Sequence, residues 1–297
     1  MAGGLSVALR EREKLVSSSG TLRMHAELVM TSQLLHQRPL YGRLFAAGWV
    51  ALVISLTPAA SLRGDDAVPA NATALVEEAF HHYRGLASYA KMTMTIHRPE
   101  WERTQTLEAW TRGDKDSVIV ITDPPRDRGN GTLKRGNQMW TFNPRVNRVI
   151  KLPPSLMGQS WMGSDFTNHD LARTDSILVD YTHELLDVTE SDGLEVYHIR
   201  LVPKPDAPVV WGREELLVRE DKILLEERFY DQDGRLVKSL VSSEIQMLGG
   251  RLLPRVLTMT EADDPERYTR LDYEELEFRK GLPDRLFTEA FLRNPRE

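Results

Sequence analysis

The 297-residue chain has no cysteine. Neither a disulfide nor a thiolate metal site can hold it together, so the fold must rest on a packed core, and a chain of this length can build one. The same absence rules out an acylated cysteine anchor. A basic excess is also missing: 38 Lys and Arg stand against 44 Asp and Glu, for a net charge of −6. That balance has the wrong sign for a nucleic-acid groove or for broad adhesion to anionic head groups. No glycine-rich loop of the phosphate-cradling kind occurs. The apolar run at 44–56, LFAAGWVALVISL, falls short of the roughly 20 residues that span a bilayer.

That run follows Arg38 and Arg43 and precedes Thr57-Pro-Ala-Ala-Ser, which is the charged, apolar and small-residue order of a secretory signal. Residues 1–61 are therefore expected to be an N-terminal extension and signal peptide cleaved near Ser61. A linker at 62–72 and one mature periplasmic domain at 73–297 would follow. Met24 and Met30 are alternative starts to Met1. Residues 1–61 hold six Lys or Arg and three Glu, so their removal takes the net charge from −6 to −9.

The mature region opens with Leu75, Val76, Ala79, Phe80, Tyr83 and Leu86 at helical spacing and Gly85 as a stop, predicting one helix over Thr73 to Leu86. Its role is either to plug an open sheet or to cover one face. From Lys91 onward the period switches to two. Met92, Met94 and Ile96 share a face, and strand-like runs follow at 103–112, 117–122, 133–134, 139–142 and 149–152. They resume at 176–188, 196–202, 214–219, 223–230, 236–247, 252–260 and 268–278. Short, evenly spaced strands imply an all-β sheet or barrel. Arg213-Glu-Glu-Leu-Leu-Val-Arg-Glu-Asp reads as a solvated outer face whose charges blunt sheet edges.

Candidate chemistry is sparse. Gly158-Gln-Ser-Trp-Met-Gly163 spaces its glycines wrongly for a nucleophile elbow. His183-Glu-Leu-Leu-Asp187 has Asp where a zinc-protease helix needs its second His, and it sits in a hairpin pattern. Asp231-Gln-Asp-Gly234 is a turn rather than a calcium loop, because the glycine comes too early and no distal Glu follows. Asp165 or Asn168 is expected to cap a short turn at Asp170-Leu-Ala. With no coherent nucleophile, base and orienting acid, the expectation is a non-enzymatic protein without cofactor or metal.

The informative stretch is 132–172, TLKRGNQMWTFNPRVNRVIKLPPSLMGQSWMGSDFTNHDLA. It begins as a hairpin carrying Trp140 and Phe142, turns at Asn143-Pro144-Arg145, and breaks at Pro153-Pro154. The segment beyond is too apolar for an ordinary surface loop and too interrupted by Gly158 and Gly163 for a core helix. Methionine and tryptophan on irregular backbone suit a lid over something apolar. The candidate ligand-binding residues are Met92, Met94 and Ile96 on the first strand, Trp140 and Phe142 on the motif strand, and Leu156, Met157, Trp161, Met162 and Phe166 on the lid. Each has a plain alternative as a core side chain.

These residues also carry a resemblance. W-T-F-N-P-R-V-N-R-V-I-K followed by S-L-M-G-Q-S-W-M-G-S-D-F-T-N-H-D-L resembles the outer-membrane lipoprotein-sorting proteins of the LolA-like group. Arg228-Phe-Tyr-Asp-Gln-Asp-Gly-Arg-Leu-Val and Leu282-Pro-Asp-Arg-Leu-Phe-Thr resemble two further elements of that group, so the likeness covers roughly residues 73–292. It implies a mainly β fold: an open, strongly curved antiparallel half-barrel with covering helices, whose concave apolar face holds lipid or lipoprotein acyl chains. The implied function is a monomeric periplasmic carrier that takes cargo from an inner-membrane transporter to an outer-membrane acceptor. The alternative is an accessory module of an inner-membrane lipid or RND-type exporter that carries nothing itself.

Overall fold

The computed structural model describes residues 71–296 apart from Arg173. The expected signal, its apolar run and most of the linker lie outside the described residues. Asn71 caps the first helix, its side-chain oxygen accepting from the backbone N–H of Thr73 and Ala74, and α1 runs from Ala72 to Arg84. Alternating strands follow without interruption: β1 (Ala87–Arg98), β2 (Trp101–Arg112), β3 (Asp116–Asp123), β4 (Gly131–Arg135), β5 (Gln138–Asn143) and β6 (Arg148–Lys151).

Among the described residues of 152–180 there is no strand, only an isolated bridge between Ser160 and Thr167, a 3-10 turn and two short helices, α2 (Asn168–Ala172) and α3 (Ser176–Val179). Strands resume as β7 (Tyr181–Ser191), β8 (Leu194–Pro203), β9 (Arg213–Arg219), β10 (Leu224–Tyr230), β11 (Leu236–Leu248), β12 (Arg251–Glu261) and β13 (Tyr268–Arg279). A 3-10 turn at Asp284–Phe287 and α4 (Glu289–Arg293) end the chain. The expected strand over 176–188 is corrected at its start: Ser176-Ile-Leu-Val makes one helical turn, and pairing begins only at Tyr181.

Among the described residues, all thirteen strands join one antiparallel sheet in the order β6-β5-β4-β3-β2-β1-β13-β12-β11-β10-β9-β8-β7, which does not close into a barrel. Every neighbour is also a sequence neighbour except β1 and β13, paired from Ala87 with Arg279 to His97 with Tyr268. The two edge strands are therefore β6 and β7, and the segment 152–180 is the link between them. It crosses one face of the sheet to make that connection.

Register assigns side chains to faces. Met92 lies opposite Leu107 and Tyr273, Met94 opposite Gln105 and Leu271, and Ile96 opposite Arg103 and Thr269. Their face continues through Ile121, Met139, Met259 and Phe229 as a buried cluster, onto which the link lowers Trp161, Phe166 and Ala172. On the same face at the β7–β9 end, Val76 and Ala79 of α1 pack against Tyr181, Ile199, Leu201, Leu216 and Val218. From there α1 reaches across: His82 Nε2 lies 2.9 Å from the Leu252 carbonyl of β12, the Tyr83 hydroxyl meets Tyr273 of β13, and Arg84 donates to Gly113 and Asp116 at the β2–β3 turn. The helix thus bridges this face instead of lying along a few strands, as a plug would.

The opposite face is covered separately. Trp110, Val118, Val120, Leu133 and Phe142 pack against Leu282, Leu286, Phe287, Phe291 and Leu292. Gly131 permits the approach, since a Cβ there would sit 2.7 Å from a methyl of Leu292.

Candidate functional site

The face under the link is apolar at its centre and ionic at its margins. Three buried ion pairs tie the link to three different strands. Asp165 takes both guanidinium nitrogens of Arg98 on β1, at 2.8 and 3.0 Å, and also accepts from the Thr269 hydroxyl at 2.7 Å. Asp170 pairs with Lys238 of β11, which is 2% exposed. Asp175 pairs at 3.1 Å with Lys134 of β4, which is 1% exposed; burial lowers the Lys134 pKa, partly offset by Asp175. Such pairs gain little net stability when formed but leave a costly bare charge when one partner goes. They fix where the link sits more than how tightly.

Asp165 is accordingly not a helix cap, and neither is Asn168. Thr167 caps α2 instead: its hydroxyl accepts from the Asp170 N–H at 3.2 Å, and Asp170 Oδ2 accepts from the Thr167 N–H at 2.8 Å. This is the reciprocal capping-box arrangement with Asp in the Glu position. It also holds Asp170 toward Lys238.

A second correction concerns the run at 213–221. Glu214 is 3% exposed. It shares the covered face with Leu216 and Phe229, accepts a 2.6 Å hydrogen bond from Tyr181, and lies beside Glu227. Burial, reinforced by Asp170, pushes the Glu214 carboxyl up to about 7, and burial together with Glu214 holds Glu227 well above the ordinary carboxylate range. Alternation placed a charge on each side of the sheet, and only packing shows that both sides of β9 are covered. His183, on strand β7 as its hairpin pattern implied, contacts the Ile177 carbonyl at 2.7 Å and the Thr73 hydroxyl at 3.0 Å.

Of the ten candidate ligand residues, the structure gathers seven. Met92, Met94, Ile96, Trp161 and Phe166 are buried in the covered cluster, with Met157 and Met162 half-buried against it. Leu156 is half-buried in the 3-10 turn and offers its carbonyl to Asn168 at 3.0 Å. Trp140 and Phe142 belong to the cluster on the other face, under the C-terminal segment. On β5 it is Met139 and Thr141 that face the link. Alternation groups side chains by face but does not say which face is concave.

Between the link and strands β2 to β5 lies a cleft of 410 Å³. Arg103, Gln105, Ile121, Thr132 and Thr141 border it from the sheet, and Leu152, Ser160, Trp161 and Met162 from the link. The Trp161 indole N–H donates to the Thr132 hydroxyl at 2.9 Å. Met162 and Gly163 both take positive φ, +52° and +79°, in a turn closed by Ser164 N–H to the Trp161 carbonyl at 2.9 Å. Methionine rarely accepts that backbone, and Arg103 donates to the carbonyl so displayed. The ionic ties and the cleft were not read from sequence. Lys134, Lys238, Arg98 and Gln105 sit in ordinary alternating strands, and nothing local distinguishes a buried ion from a solvated one.

A family model whose description reads only as an uncharacterised protein matches residues 113–294. Solved structures with the same fold include a DUF1329 family protein from Desulfovibrio piger, at 24% identity and TM-score 0.66 over 74% of this chain and 98% of that one. A putative outer membrane lipoprotein-sorting protein domain from Vibrio parahaemolyticus gives 19% and 0.65 over 75% and 98%. A LolA superfamily protein from Nitrosomonas europaea gives 24% and 0.63 over 74% and 98%. No curated protein matches the chain closely enough to count as a relative.

Proposed function

From the premise that this chain belongs to the uncharacterised family matched over residues 113–294, and has the open β-sheet fold of LolA superfamily proteins, we propose that it is a non-enzymatic periplasmic carrier of lipid or lipoprotein acyl chains. One observation carries the reading: the central apolar cluster of the sheet, from Met92 to Met259, is covered by an irregular link between the two edge strands and not by a second sheet, while α1 covers the β7–β9 end of the same face. Trp161 and Phe166 occupy the space that a hydrocarbon chain would take. Cargo enters as the link lifts, and Met92, Met94, Ile96, Met157 and Met162 then form an adaptable wall. Trp140 and Phe142 pack under the C-terminal segment, and Phe142 also borders the cleft.

Magnitudes limit what can displace the link. Full burial is worth about 1.5–3 kcal/mol per side chain, so Trp161 and Phe166 with the half-buried Met157 and Met162 come to about 4.5–9 kcal/mol together. A single ten-carbon chain recovers about 8 kcal/mol at roughly 0.8 per methylene. One chain only balances the cost of opening, whereas two or three chains exceed it. A carrier built this way discriminates against free fatty acids and in favour of multiply acylated cargo, and hands the cargo on when a partner offers a better site.

Native mass spectrometry of protein purified from the periplasm tests the reading. Co-purifying lipid with two or more chains is the expected result. A lipid-free mass together with a stable complex with an inner-membrane transporter would favour the accessory role, and failure to take up any acylated probe would overturn the carrier role.

A further inference from the structure

The cleft beside the link contains an unmet hydrogen-bonding demand that an acyl chain cannot satisfy. Gln105 is 3% exposed, yet its Oε1 has no partner. Its amide orientation is set chemically, because Nε2 donates to Asp127 Oδ2 at 2.9 Å, which leaves the oxygen facing elsewhere. Two residues earlier on the same strand and face, Arg103 donates through Nη2 to Met162 while its Nε is buried and also unpartnered. Both side chains border the cleft. A buried acceptor and a buried cationic donor roughly 7 Å apart along a strand are each costly when left unpaired, and they ask for one ligand carrying both complements. Arg145, exposed on the same rim, adds a second positive charge.

We infer that this cleft is a head-group subsite for a phosphoglycerol-type amphiphile: a phosphate oxygen accepts from Arg103 Nε with Arg145 nearby, and a glycerol hydroxyl donates to Gln105 Oε1. The inference rests on the carrier reading, because the chains of such a lipid would run from the cleft past Trp161 and Met162 onto the face bearing Met94 and Ile96. A volume of 410 Å³ lies within the roughly 300–1,000 Å³ of small-ligand sites. A choline head, which has no hydroxyl donor, leaves Gln105 Oε1 unpaired, and its cation meets two guanidiniums, Arg103 and Arg145, against one carboxylate, Asp127.

Isothermal titration of the full protein with dioctanoyl phosphoglycerol, dioctanoyl phosphocholine and free glycerol 3-phosphate tests this. The phosphoglycerol lipid should bind about tenfold more tightly than the phosphocholine lipid, a difference set by one well-placed polar interaction. Gln105→Leu, which removes the unpaired acceptor together with the Nε2 donor to Asp127, should bring the two lipids within about twofold of each other. Arg145→Ala, at an exposed position, should weaken the phosphoglycerol lipid and narrow its margin over the phosphocholine lipid, whose cation is relieved of one guanidinium as its phosphate loses one. Equal affinity for the two lipids, unmoved by either variant, overturns the subsite and leaves the carrier reading standing. Glycerol 3-phosphate binding as tightly as the lipid overturns the assignment to a lipid head, and failure of both lipids to bind overturns the carrier reading as well.

Discussion

Two covers lie on this sheet, and they are made differently. The C-terminal segment, Leu282 to Leu292, is fastened by apolar fit: Phe291 meets Trp110 edge-on with ring centroids 5.3 Å apart, and Leu292 closes over Gly131. Its ion pair, Arg112 with Asp284, lies at the rim, where the Asp284 side chain is almost fully exposed. The link between β6 and β7 also lowers aromatic side chains onto an apolar face, but three buried ion pairs set its position, and a polar cleft runs along one side. Apolar fit has no alternative state of comparable energy. Ionic ties with little net energy mark where the cover returns without making its departure prohibitive. The first cover is held by apolar fit, and the second is the one that the proposed carrier role requires to lift.

The largest effect should therefore come from the C-terminal cover. Phe291→Ala is expected to cost about 3–5 kcal/mol of global stability in denaturant melts, with lipid affinity unchanged at full folding. A loss below about 1 kcal/mol would break the comparison by making this cover as detachable as the other. Asp165→Asn should cost about 1–3 kcal/mol globally, less than the full value for a broken buried pair because the link can swing out and hydrate Arg98. Amide exchange should then accelerate across 157–171 and stay slow across 286–292. Uniform acceleration would mean that the link is core after all.

The buried carboxyls beneath the link give a pH signature of intermediate size. Glu214 titrates at about 7 in the folded protein and Glu227 well above the usual range, whereas both titrate near about 4.3 in the unfolded chain. Their neutral forms favour the folded state, so this contribution is whole below about pH 4.3 and is lost as pH rises through about 7, a span on the order of a few kcal/mol. Thermal melts should place the folded state higher at pH 5 than at pH 8, and Glu227→Gln should flatten the slope. An unchanged slope would show that water reaches the pair. The smallest effect belongs to the link's turn: Met162→Asn relieves the positive φ, which asparagine tolerates, but gives up the apolar burial of a half-buried side chain, so denaturant melts should move by less than about 1 kcal/mol.

The fold was largely legible because period-two alternation is a local signal, and the runs read from sequence correspond to the strands of the sheet. Ser176 to Val179 misled for the same reason: a β-branched stretch scores as strand, while the short path from Asp175 to the β7 edge imposes one helical turn. The pairing of β1 with β13 joins residues far apart in the chain, and no local pattern carries it. The link was recognisable by the conflict between its apolar content and its glycines and prolines. Its fastenings were not, since a charged side chain in an alternating strand reads as solvated even where, as at Arg98, it continues the face of Met92, Met94 and Ile96, and Arg98, Lys134 and Lys238 become distinctive only when Asp165, Asp175 and Asp170 arrive from a distant segment. Trp140 and Phe142 share a face, as alternation implies, and that face packs under the C-terminal segment.

The absence of cysteine makes the decisive measurement clean. Spin labels at Ser155→Cys on the link and Thr104→Cys on β2, both exposed positions, would report the separation of link and sheet by electron–electron resonance. The account predicts one short, narrow distance distribution in the lipid-free protein and a longer population that grows with added dioctanoyl phosphoglycerol. A distribution that stays short and narrow while lipid is demonstrably bound would contradict it.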